Sequence, residues 1–418
     1  MISQYDDLSI GKDDKPVNTT RETVLALLGT ALFGKPLELP DDVDWQAVYR
    51  EMQLHTVLAL AANVVSDIKE MDETVRANWL KYAGQNMQRV CHILYEQQQA
   101  VQLLEEAGYA PVVLKGASAA QYYPEPANRA MGDVALLLPG EAAVEAAEML
   151  KGHGYRAIFT RVDNPRHRPI QKNGVKFELH SFFSMLADKQ KAETFDRVLL
   201  EGLKERCSRE CCGFSYPTLP DFYNGLVILE HANHHMIAGI GLRQMLDWMV
   251  FVDKVLDDAC WAESFQPVLK TIGLEKYAMT IARMGQLYLG LRTDNRLWCQ
   301  QVDEQICAQL LAFIMDNGNF GVKHGEKQKP SKVLADFSSI PEMFRSLQTR
   351  GCHNFASLIR RFPFLRPFAW LLRIGRLLVL GVREHLSPST LLASFRESRR
   401  RVRLFHSLGV MNSRRDKE

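Results

Sequence analysis

Two carboxylates set in apolar strands are the residues of this chain best suited to chemistry. Asp133 opens the run Asp133-Val134-Ala135-Leu136-Leu137-Leu138, and strand alternation puts it on one face with Ala135 and Leu137. An apolar strand has no packing use for a carboxylate at its first position; a turn or helix-cap aspartate is the plain alternative. Glu178 lies in Val175-Lys176-Phe177-Glu178-Leu179-His180, where Lys176, Glu178 and His180 form one face. If the two strands are neighbours, the carboxylates converge on one side of a sheet. Such a pair can bind Mg²⁺, a hard ion that prefers oxygen ligands and substrate phosphates. The alternative for Glu178 is cross-strand pairing with Arg168 or Lys172 on a hairpin partner.

Several cations and imidazoles accompany this pair. Lys115 ends the apolar run 111–114 and precedes Gly116-Ala117-Ser118, which suits a mobile point charge reaching phosphate, or an ordinary solvated strand end. The G-x-x-x-x-G-K-[ST] arrangement is absent, so this turn is not a P-loop. Arg129 precedes Asp133 in a turn and could meet phosphate, a carboxylate or only solvent. His231 and His235 share a helical face, but the H-E-x-x-H pattern is missing. They are expected to line a cleft rather than to hold a transition metal. Arg243 and Asp247 read as an i,i+4 ion pair.

The elements that would position these residues follow from periodicity. Residues 1–19 read as a mobile leader, and Thr19 or Thr20 caps a helix over Glu22–Leu32. Further helical runs at His55–Lys69, Glu73–Ala83 and Asn86–Ala107 make residues 20–108 a helical region. Strands follow at 111–114, Asp133–Leu138, Tyr155–Arg161, His167–Lys172 and Val175–Phe182, with a helix over Glu141–His153. Asn173-Gly174 predicts a hairpin between the last two strands. This α/β core is assigned to residues 109–200. From Leu186 the helical period returns and holds, through a region at 201–330 and a C-terminal extension at 331–395. A loop covers 323–332, and the arginine-rich residues 396–418 read as a disordered tail.

Taken together, these segments resemble the nucleotidyltransferase superfamily of DNA polymerase beta-like fold, and within it a bacterial family of uncharacterised nucleotidyltransferases. The likeness lies in Val113-Leu114-Lys115-Gly116-Ala117, in Tyr123-Pro124 followed by Arg129-x-Met131-Gly132-Asp133, and in Phe177-Glu178-Leu179-His180. It continues through His231-x-x-x-His235, Leu242-Arg243-Gln244-x-Leu246-Asp247, Gly318-Asn319-Phe320-Gly321 and Pro367-Phe368-Ala369-Trp370. The resemblance implies an α+β fold, with a mixed-sheet core between N-terminal and C-terminal helical regions. It implies that the Lys115–Ser118 turn and Arg129 approach a nucleoside triphosphate, with ATP the default. Carboxylates at 133, 135 and 178 would hold Mg²⁺, and two metals about 4 Å apart would support attack on the α-phosphorus. Position 135 is Ala, which offers no ligand. The metal set then reduces to Asp133 and Glu178, and the chain reads as an impaired transferase. The alternative is a pseudoenzyme that binds nucleotide or protein without reacting. Sequence leaves open whether the alanine marks an engineered variant or a natural degenerate member.

Composition narrows the partners. The chain has 418 residues, with 51 Lys plus Arg against 49 Asp plus Glu, a balance that disfavours a surface built for nucleic acid. A small-molecule or protein acceptor is the expectation. The eight cysteines form no C-x-x-C pair and read as buried thiols of a cytoplasmic protein. The polar start carries no signal-type apolar run. The apolar stretch 368–382 contains two arginines and is too short to span a bilayer. It is expected to pack on the domain, with a peripheral membrane or partner contact as the alternative.

Overall fold

Asn173 and Gly174 take positive φ of 49° and 78° and turn β4 (His167–Lys172) back onto β5 (Val175–His180). This is the predicted hairpin, since both central positions of such a two-residue loop need φ above zero. β5 also runs parallel to β2 (Asp133–Leu137), which is antiparallel to β1 (Val112–Leu114). The short β3 (Arg156–Ala157) lies beyond β4, so the five-stranded mixed sheet has the order β1-β2-β5-β4-β3. The structure is a computed structural model that describes residues 15–158, 167–186, 188–319, 340–383 and 400–410. The rest of the strand expected at Tyr155–Arg161 therefore falls largely outside the described residues, as do the 323–332 loop and Phe320-Gly321.

The two faces of the sheet belong to different apolar clusters. Val134, Leu136, Phe177 and Leu179 pack with α6 (Ala142–Gly152) and the C-terminal part of α4 (Glu73–Glu106). Leu114, Ala135 and Leu137 join a larger cluster with α8 (Asp221–Ala238) and α9 (Leu242–Val255). α9 is buried almost all round, as expected of a helix central to a domain. Gly225 lets α8 approach it closely: a Cβ there would stand 2.5 Å from the ring of Phe251.

The two helical runs expected at 73–83 and 86–107 are one helix of 34 residues. Asp72 caps its start by accepting from the Thr74 and Val75 amides. Gly84 does not break it, because an interior glycine costs only about 1 kcal/mol and burial on both sides of it outweighs that. α4 places Val75 and Trp79 in the larger cluster and Val90, Ile93, Leu94, Val101 and Leu104 in the sheet cluster.

Four expectations change. α1 spans Lys15–Phe33, so Thr19 and Thr20 lie within the helix rather than at its cap; residues 1–14 of the expected leader lie outside the described residues. Pro16 sits in the first turn, where its missing N–H has no partner to lose. The helical period from Leu186 is interrupted after α7 (Lys189–Lys204) by a second hairpin, β6 (Cys207–Cys211) and β7 (Phe214–Thr218). Its turn is Cys212-Gly213, both at positive φ, and a cysteine at the first position hides the usual turn signature. Residues 400–407 are helical rather than disordered, because Leu404, Leu408 and Val410 bury themselves in the larger cluster. Of the eight free cysteines only Cys211, Cys299 and Cys307 are buried.

The apolar stretch near 368–382 forms a helix over Ala369–Arg383 that pairs with the helix Ile340–Asn354. Gly351 permits this pairing, since a Cβ would collide with the Ala369 carbonyl. Ala369 is buried, whereas Phe368, Leu371 and Val379 are exposed. Among the described residues no helix is long and apolar enough to cross a membrane.

Candidate functional site

The face of the sheet that carries Asp133 and Glu178 does not pack flush against α8 and α9. A cavity of about 420 Å³ remains between them. Lys115, Gly116, Arg129 and Asp133 line it from the β1 and β2 side, and Lys176, Glu178, His180 and His167 from β5 and β4. The helices contribute Glu230, His231, His234 and His235 from α8 and Arg243 from α9. Asp133, Glu178, Lys115, Gly116 and Arg129 thus meet at one place.

Parallel pairing sets the arrangement. Asp133 stands opposite Lys176 and Ala135 opposite Glu178, so all four share a face. Glu178 is a hub for cations. Its Oε1 accepts from Lys176 Nζ at 2.9 Å, while Lys115 Nζ lies 3.7 Å and His180 Nε2 3.5 Å from Oε2. Burial alone would raise the Glu178 pKa, but the hydrogen bond from His180, the Lys115 charge and the Lys176 hydrogen bond hold it far below the usual carboxylate range. Pairing with Arg168 or Lys172 does not occur: these face Leu179 and Val175 in register and so lie on the opposite side of the sheet. Among the described residues the Asp133 carboxylate accepts no hydrogen bond and lies in no ion pair. It is the open acceptor of the site.

Backbone geometry aims Lys115. Its φ of 56° with ψ of −144° is rarely adopted by a residue bearing a Cβ and costs about 1–3 kcal/mol. Gly116 continues the tight turn at φ 34°, a conformation natural to glycine. The ammonium that results sits over the Phe183 ring and beside Glu178, at the cavity wall.

Arg129 and Asp247 form the strongest polar link in the region. Arg129 Nε and Nη2 donate to the two Asp247 oxygens at 2.7 and 2.6 Å, and Tyr123 Oη donates to the same carboxylate at 2.7 Å. This replaces the expected Arg243–Asp247 pair. Arg243 instead donates to the Ala130 carbonyl at 2.8 Å, and among the described residues it has no carboxylate partner. Burial, then the neighbouring Arg129, depress its pKa. Arg129 lines the cavity but is committed to a buried bidentate pair, so Arg243 is the guanidinium with donors to spare. Sequence reading missed this exchange because the pairing partner lies 118 residues away.

Ser118 and Ala135 do not line the cavity. Ser118 is fully buried, its hydroxyl 2.7 Å from the Val113 carbonyl and 2.8 Å from Thr218 Oγ1. Ala135 is 1% exposed and packed within the larger apolar cluster. The histidines of α8 do line the cavity, and His231 and His235 touch through their Nε2 atoms at 2.9 Å. Burial holds His231 well below its ordinary pKa, with help from Lys115; it pushes His235 down to about 3 and His180 down to about 4. These rings are neutral near pH 7.

The pair of Mg²⁺ ions that the resemblance implies does not fit these residues. The position of the second strand carboxylate is a buried methyl group. Glu178 already faces two ammonium groups and two imidazoles, those of His180 and His167. Among the described residues no group of three or more His, Cys, Asp or Glu is arranged to hold a metal ion.

A mixed sheet flanked by helical regions, with a Lys-Gly turn and two carboxylates facing a cavity at its edge, has the architecture of the polymerase beta-like nucleotidyltransferases. The chain belongs to a family described as uncharacterised nucleotidyltransferase, whose model matches residues 41–290. That span runs from the segment before α2 (Trp45–Leu54) through the sheet and both cavity-lining helices. No curated protein matches the chain.

Proposed function

We propose that the cavity binds a nucleoside triphosphate through its polyphosphate chain, and that nucleotidyl transfer from it to a small-molecule or protein acceptor is lost or strongly impaired. One observation carries the reading. The Lys115–Gly116 turn, Lys176 and the spare donors of Arg243 converge on one cavity with Asp133 and Glu178. Ammonium and guanidinium groups in a partly enclosed site are suited to phosphate oxygens. The cavity is also large enough for a small ligand.

Impairment follows from Ala135. Transfer of a nucleotidyl group needs charge stabilisation on both the attacking and the leaving oxygen. A methyl group at the bridging position removes the oxygens that would organise that charge. The reading also requires a compartment with free nucleotides, which makes the cytoplasm the expected site of action.

Calorimetric titration with each of the four common nucleoside triphosphates, combined with a labelled-nucleotide transfer assay, tests it. Micromolar to millimolar binding without transfer is expected. Absence of binding by all four removes the reading, and efficient transfer by the unaltered chain removes the impairment.

A further inference from the structure

We propose that Lys176, assisted by Lys115, is a built-in cation of this site, so that a nucleotide's polyphosphate chain is held without a divalent metal. The inference rests on the nucleotide-binding reading above and goes beyond it by specifying the ion requirement.

The register supplies the first argument. Lys176 stands opposite Asp133 on the neighbouring strand, and its ammonium lies 2.9 Å from Glu178 Oε1. Its charge therefore sits on Glu178 and within electrostatic reach of Asp133, on the face where a cation serving both carboxylates would lie. Lys115 approaches the other oxygen of Glu178 at 3.7 Å, so two single charges surround the carboxylate.

The loss at position 135 supplies the second. A divalent ion between β2 and β5 would draw on the side chain opposite Glu178, and that side chain is an apolar alanine buried to 1% exposure. A hard cation offered fewer oxygens binds weakly, because it gives up hydration for too little in return. A lysine needs only one acceptor to hold it and keeps two further N–H donors for phosphate.

Accessibility is the third. The Lys176 side chain remains 47% exposed while making its contact with Glu178. Its donors are open to a ligand entering the cavity, and the residue belongs to neither apolar cluster.

The test measures binding of ATP and of inorganic tripolyphosphate to the full chain, in EDTA and in Mg²⁺. The variants are Lys176→Met and Lys176→Arg, each checked by its melting curve. The expected result is that the unaltered protein binds equally well, within about threefold, in both buffers. Lys176→Met should lose tenfold or more in EDTA, and Lys176→Arg should retain binding because it keeps the charge. Binding by the unaltered protein only in Mg²⁺ overturns the inference and leaves nucleotide binding standing. Metal-free binding that Lys176→Met does not weaken overturns the role of Lys176. No binding in either buffer overturns the nucleotide-binding reading itself, and the inference with it.

Discussion

Ala135 stands directly opposite Glu178 in the parallel pairing of β2 and β5, two residues (one step on the same face) from the facing pair Asp133 and Lys176. The site is therefore asymmetric. One step offers a carboxylate facing a lysine, the other a carboxylate facing a methyl group. The methyl side is closed to solvent and continuous with the apolar cluster beneath the helices.

Restoring a carboxylate at this point should be costly before it is useful. Ala135→Asp buries a charge among Leu114, Leu137 and their neighbours and should destabilise by about 2–4 kcal/mol in EDTA. Mg²⁺ with nucleotide should recover part of that loss, because a ligand selective for the folded state stabilises it. Melting temperatures with and without Mg²⁺ and nucleotide check this. An unchanged melting temperature in EDTA would show that the position is not enclosed.

The link between Arg129 and Asp247 joins the turn before β2 to the central helix α9. Asp247→Asn should lower stability by about 3–5 kcal/mol, since it strands a buried guanidinium. Tyr123→Phe should cost less, about 1–2 kcal/mol, because Asp247 keeps both bonds from Arg129. Chemical denaturation of the two variants orders them, and the reverse order would contradict the geometry.

Lys115 and Ser118 lie three residues apart and should behave oppositely. Lys115→Met should weaken nucleotide binding tenfold or more with little loss of stability. Ser118→Ala should lower stability by about 1–3 kcal/mol, by breaking hydrogen bonds to Val113 and Thr218, and leave affinity unchanged. Paired melting and titration data separate these outcomes, and a Ser118→Ala variant with normal stability and weakened binding would refute the assignment.

Acid should destabilise the protein from about pH 6.5 downward, through its buried histidines. Burial, reinforced by Lys115, pushes His180 down to about 4, although Glu178 pulls the other way; burial and His234 push His235 down to about 3. Unfolded histidines titrate near 6.5, so below that pH the unfolded chain binds the extra protons. Stability is then complete above about pH 6.5 and falls as the pH drops toward 4, by about 1.4 kcal/mol per pH unit for each ring. Denaturation midpoints measured from pH 8 to pH 4.5 test this. A flat profile down to pH 5 would count against neutral buried rings.

How much of this was legible beforehand differs from residue to residue. Asn173-Gly174 announced its hairpin because the turn requirement is local. Cys212-Gly213 makes the same kind of turn and stayed hidden, since cysteine is rarely placed at positive φ. The Asp133 and Glu178 faces followed from strand alternation, and their meeting needed only neighbouring strands. Asp247 was misassigned to Arg243 because spacing along a helix reveals partners four residues away, not 118. Lys176 was assigned to the right face but given no role, because only the register with β2 brings it opposite Asp133.

The length of α4 has a consequence for biogenesis. This 34-residue helix is finished at Glu106; its N-terminal turns pack on α2 and α3 (Ala62–Ser66), which precede it, whereas the residues that cover its C-terminal stripe follow it. Tyr216 completes the sheet cluster that covers this stripe. At ~5–20 residues per second of synthesis, this sheet-side stripe stays incompletely covered for on the order of ten seconds, while the other end already has its partners. The growing chain therefore leaves the ribosome with a helix docked at one end and an apolar stripe awaiting partners at the other. During that interval a chaperone that recognises apolar helix faces would find its clearest target there.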